Sequence, residues 1–149
     1  MRSLIRRLSL VGAVLLTGCG GVRQRLAEEA YLQQQLYDYA YDVPLERLWA
    51  EAKAITGARG NGEVAEDGVR TLSIPALAPD APLLQLRGWT SEGRSHLHIL
   101  RVYEGAWASR PEDAGARVVD LELKLLERFH PEAARRFQDG ARLAGARAR

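Results

Sequence analysis

The sequence predicts an α+β domain: an antiparallel sheet of four to five strands, with a long helix after the first strand and a C-terminal helix packed on one face. Three observations carry this prediction. Apolar residues recur every second position over 37–43, and the same strand period returns over 63–74 and 83–103, as half-buried strands require. Between those stretches and after them, over 44–57 and 117–129, the period is helical. Gly and Pro fall at the changes of period, and the order strand, helix, meander, helix describes helices laid on an antiparallel sheet.

The elements follow in chain order. Residues 22–36 are rich in helix formers and lack Gly and Pro, but their apolar stripe is thin, so they predict a tether with helical tendency. In 37–43, Tyr37, Tyr39, Tyr41 and Val43 share one face and Asp38, Ala40 and Asp42 the other, predicting the first strand. Such a row suits a core edge, and it could also line a ligand or partner surface together with Trp49. Pro44 suits a first helical turn, and Leu45, Leu48, Trp49, Ala52 and Ile55 form the apolar side of a helix closed by Gly57.

Residues 63–66 and 69–74 flank Asp67-Gly68, and 83–90 and 95–103 flank Glu92-Gly93, predicting two hairpins. The prolines at 75, 79 and 82 exclude a regular strand between them. After Trp107 and a loop over 109–115, Val118, Leu121, Leu125 and Phe129, widened by Leu126, define a buried helical face. His130-Pro131 ends that helix, a short final helix follows, and from Gly140 the Ala- and Arg-rich end is expected to fray.

The N-terminal stretch is of another kind. Arg2, Arg6 and Arg7 precede an apolar run over 8–16 that is too short to span a bilayer and suits an export signal. It ends in Leu16-Thr17-Gly18-Cys19, which resembles the lipobox of bacterial lipoproteins. The resemblance implies cleavage between Gly18 and Cys19 and acylation of Cys19. It also implies a mature protein anchored to the cell envelope, and Gly20 and Gly21, in place of an aspartate, favour the outer membrane. The expected organisation is a signal peptide over 1–18, a lipidated tether over 19–36, one domain over 37–140 and a basic tail over 141–149.

Loss of the leader changes the charge. The whole chain of 149 residues has 21 basic and 19 acidic residues; without Arg2, Arg6 and Arg7 it has 18 and 19, a net charge of about −1. That balance argues against nucleic acid as a partner. The single cysteine excludes an internal disulfide, and lipid on its sulfur would exclude thiol chemistry.

His96 and His98 lie two apart on one strand face, but two ligands do not make a metal site, and no metal or cofactor is expected. No Gly-x-Ser-x-Gly elbow is present, and the remaining histidine, His130, reads as a helix-end residue. The carboxylates Glu63, Glu66 and Asp67 gather at a turn, where solvated loops are the rule. No catalytic constellation is recognised. The C-terminal segment over 128–149 sets Arg128, Arg135, Arg136, Arg142, Arg147 and Arg149 against Glu132 and Asp139. It could touch anionic lipid headgroups or an acidic partner, and reads first as a solvated helix face.

Tyr41-Asp42-Val43-Pro44-Leu45-Glu46-Arg47-Leu48-Trp49, followed by Gly57 to Gly62 and a strand meander, resembles the small helix-grip-like domains of envelope lipoproteins, such as those found in lipoproteins of the outer-membrane β-barrel assembly machinery. The resemblance spans roughly residues 37–104 and implies a non-catalytic, accessory protein-binding module. The expected partners are the membrane, through lipid on Cys19, and an envelope protein. A carrier or sensor of an apolar ligand is the alternative, and an envelope enzyme the third.

Overall fold

The computed structural model describes residues 20–76, 78, 81–103 and 116–149. Residues 1–19, where the leader and Cys19 were expected, and Trp107 and the loop over 109–115 lie outside the described residues. The chain divides into two compact units, one holding residues 20–35 of the described chain with Arg135–Arg149, the other Leu36–Ala134.

The second unit is the α+β body. Its sheet has five antiparallel strands in sequence order: β1 (Glu63–Val64), β2 (Arg70–Ile74), β3 (Leu83–Ser91), β4 (Arg94–Val102) and β5 (Ala116–Arg117). The helix over 20–36 is α1, and α2 (Leu45–Thr56) and α3 (Val119–Phe129) follow in chain order.

Strand pleat decides which residues meet the helices. Leu72, Leu86 and Ile99 are cross-strand neighbours on one face, and Leu86, Leu97 and Ile99 are at most 4% exposed. Against them α2 buries Leu48, Trp49 and Ala52, and α3 buries Val119, Leu125 and Leu126. Gly88 permits this approach, since a Cβ there would stand 3.1 Å from Leu45 Cδ1 and 3.2 Å from the Trp49 ring. Gly57 ends α2 in the left-handed conformation at φ 71°.

Both hairpins form where the turn residues predict. Glu92 and Gly93 both have positive φ, 53° and 75°, giving a two-residue primed turn. The Asp67-Gly68 turn is wider: the Gly68 amide donates to Ala65 O, the Ala65 amide to Val69 O, and only Gly68 is left-handed.

Three expectations need correction. Residues 37–43 are not a strand: they make one bridge, Tyr41 to Ser95, with hydrogen bonds of 2.8 and 3.0 Å, and the fifth strand is β5. The carbonyl of Tyr37 accepts from side chains instead of a ladder, and Tyr41 is packed among rings. The buried stripe of α3 is rotated from 118, 121, 125 and 129 to 119, 122, 125 and 126, which brings Glu122 inside.

The third concerns the two ends. Residues 20–36 are helical, and the last helix, α4 (Pro131–Arg147), continues well past Gly140. Gly140 lies against Tyr31 and Gly145 against Glu28 and Gln24, so absent side chains let α1 and α4 pack closely. A neighbour holds the segment that alone would fray.

Candidate functional site

The sheet face opposite the helices carries the site. A two-residue loop at 92–93 pairs Ser91 with Arg94, and this register sets Trp89 beside His96 and Arg87 beside His98. The Trp89 ring stacks on His96 at 5.1 Å and 6° and meets His98 edge-on at 4.8 Å and 87°. Tyr37, Asp38, Val69, Arg87, Trp89 and His98 line a cleft of about 350 Å³. Tyr37 is 64% exposed.

A charged pair braces the cleft. Arg117 Nε donates to Glu122 Oε1 at 3.0 Å, its Nη2 donates to Glu122 Oε2 and, at 2.8 Å, to Leu36 O, and its Nη1 donates to Tyr37 O at 3.2 Å. The Ile99 amide completes the set, donating to Glu122 Oε1 at 2.9 Å. Glu122 thus satisfies a strand-edge amide that no neighbouring strand takes up, and its guanidinium partner holds the backbone where α1 ends. Burial pushes the Glu122 carboxyl above its ordinary value, against the pull of Arg117 and the Ile99 amide.

His98 Nε2 donates to Tyr37 O at 3.1 Å. Burial, then the positive Arg117, holds its pKa down at about 4, with Arg87 and His96 acting in the same sense. The imidazole is therefore neutral at pH 7, in a cleft whose lining carries Arg87 and Asp38. Such a cleft offers an indole and a phenol for apolar contact and Arg87 for a carboxylate.

A second grouping joins residues 39–42 to the end of α3. His130 Nε2 donates to Asp42 Oδ1 at 2.7 Å, and the Tyr39 hydroxyl lies 2.6 Å from His130 Nδ1. The Tyr41 ring stacks on His130 at 5.7 Å and 22°. The hydrogen bond from His130 holds the Asp42 carboxyl below the usual range. The order acid, imidazole, hydroxyl is that of a catalytic relay, but here a phenol ends it, and none of these side chains lines the 350 Å³ cleft. Its evident effect is to fasten the 39–42 segment to the junction of α3 and α4.

The residues singled out from the sequence are dispersed. Tyr37 lies at the cleft, Tyr39 and Tyr41 pack with His130, and Trp49 is buried beneath Arg70, whose guanidinium stands 5.4 Å from the ring and is gripped by Glu46 at 2.7 and 2.9 Å. The Trp49 Nε1–H has no acceptor among the described residues. His96 and His98 share a face and pack on Trp89; among the described residues no three His, Cys, Asp or Glu gather as a metal site. Sequence reasoning passed over Arg87, Trp89, Arg117 and Glu122. The register implied by Glu92-Gly93 could have placed Trp89 opposite His96, whereas nothing local marks Glu122 as a buried partner of Arg117.

Fold and site together define a small α+β domain with an aromatic cleft, bearing Arg87 and Asp38, on one sheet face. Comparison with known families, curated proteins and solved structures finds no match for this chain. No helix among the described residues is long and apolar enough to cross a membrane.

Proposed function

We propose that this chain is a membrane-anchored envelope lipoprotein acting without catalysis as a protein-binding or accessory module. In this reading lipid on Cys19 holds it to the outer membrane, and the cleft takes an acidic segment of an envelope protein. The observation that carries the docking surface is the cleft itself. Trp, Tyr and Arg are the residues that dominate binding energy in protein interfaces, and here Trp89, Tyr37 and Arg87 converge on one concave patch. Arg87, exposed at the cleft beside Trp89 and Tyr37, offers an acidic segment its counter-charge, with Asp38 on the same lining setting where that charge can sit. The lipobox-like run supports the anchor.

The test places a photo-crosslinking amino acid at position 37 in intact cells. One envelope protein should be captured through an acidic segment, and Arg87→Glu should abolish the adduct. Lipid labelling with membrane fractionation, using Cys19→Ala as control, tests the anchor separately. Specific capture lost on charge reversal supports the docking surface; equal capture by Arg87→Glu, or none by either, overturns it.

A further inference from the structure

The unit formed by residues 20–35 and Arg135–Arg149 carries a surface that the cleft does not use. Its helices run antiparallel, because Gly140 meets Tyr31, Gly145 meets Glu28 and Gln24, and Arg149 Nε donates to Gln24 Oε1 at 3.0 Å. The start of α1 and the end of α4 therefore lie at the same end of the pair.

Charge is concentrated at that end. Arg23, Arg25, Arg147 and Arg149 are exposed there, and neither 20–27 nor 143–149 contains Asp or Glu. Elsewhere in the unit Arg135, Arg136 and Arg142 balance Glu28, Glu29 and Asp139, so the whole surplus of four positive charges sits at one tip. Residues 36–134, by contrast, hold 11 basic and 16 acidic residues.

The same tip exposes apolar side chains. Val22 and Leu26 are 59% and 61% exposed, four residues apart on one face of α1. Each lies about 160° round the helix from Gln24, which faces α4, and Arg23 and Arg25 flank them on either side. An apolar stripe bordered by arginines is the pattern of helices that rest on membrane surfaces.

We infer that this end of the helix pair docks on an anionic lipid surface. The arginines meet headgroup phosphates, while Val22 and Leu26 enter the boundary between headgroups and acyl chains. The inference deepens the anchored reading and rests on it for one point only, that the bilayer lies next to position 19, one residue before α1 is described. The contact is electrostatic and apolar, and it adds to whatever lipid Cys19 carries. Near such a surface each arginine changes affinity roughly fivefold.

The test uses residues 19–149 with Cys19→Ser, so that neither the leader nor lipid reaches the vesicle, carrying Leu26→Trp, or Val64→Trp as control, since Val64 is 60% exposed on the sheet unit. Vesicles of brominated phosphatidylcholine, with or without one-third phosphatidylglycerol, report contact as quenching of the added fluorescence over the parent chain. Quenching at position 26 is expected with the anionic vesicles and not at position 64. Arg23→Gln with Arg25→Gln should raise the vesicle concentration needed by roughly twentyfold, and salt should act likewise. Equal quenching by neutral and anionic vesicles overturns the inference, as does none at position 26. A vesicle-independent dimer that buries position 26 would assign the stripe to a second copy and also overturn it. Failure of the anchor reading is seen elsewhere, as absence of lipid on Cys19.

Discussion

Arg117 and Glu122 show how much one buried pair can govern. Three donors converge on the two oxygens of a side chain only 2% exposed, and the same guanidinium holds the carbonyls of Leu36 and Tyr37. Glu122→Ala should cost about 3–5 kcal/mol in denaturant unfolding, because it strands both Arg117 and the Ile99 amide. His98 gives a different signature. Its folded pKa of about 4 lies below the ordinary 6.5, so the unfolded chain takes up a proton that the folded one refuses. The stabilisation is complete above pH 6.5 and is lost progressively as pH falls towards 4. Its size is on the order of 2 kcal/mol after allowance for solvent screening. His98→Gln can still donate to Tyr37 O, and should flatten stability against pH across that window.

At the scale of elements, α2 and the sheet depend on a missing side chain. Gly88→Ala would set a methyl against Leu45 and Trp49, and thermal unfolding should show a loss of about 1–3 kcal/mol. The β3–β4 turn offers the opposite case. Glu92 holds φ 53°, a conformation that asparagine adopts more readily, so Glu92→Asn should raise stability by about 0.5–1 kcal/mol in the same measurement. The meander was legible because its period and its turn residues agree. The segment 37–43 misled because an alternating pattern says which residues could share a face but not whether a strand edge is free. Here Arg117 and His98 take the Tyr37 carbonyl, and the rings of Tyr39 and Tyr41 turn towards His130. The thin stripe of α1 and the small residues of α4 each looked weak alone, since helix pairing through Gly140 and Gly145 is visible only when both helices are present.

At the scale of the molecule, charge is the organising quantity. In the proposed reading processing removes Arg2, Arg6 and Arg7, and the mature chain should focus below neutral pH, against the value near 8.9 for the whole sequence. Isoelectric focusing with mass spectrometry of the membrane-extracted protein checks both points. The near-neutral total conceals a basic helix pair and an acidic sheet unit. The sequence by itself determined the fold class, the hairpins, the helix over 44–57 and the break at His130-Pro131, because period, turn chemistry and proline act through near neighbours. Only the tertiary structure decided that Trp89, His98, Arg87 and Tyr37 share a cleft, that Glu122 turns inward to Arg117, and that Arg23, Arg25, Arg147 and Arg149 gather at one end of two helices. Those residues lie up to a hundred or more positions apart in the chain, and their meeting depends on register and helix rotation, to which no local pattern is sensitive.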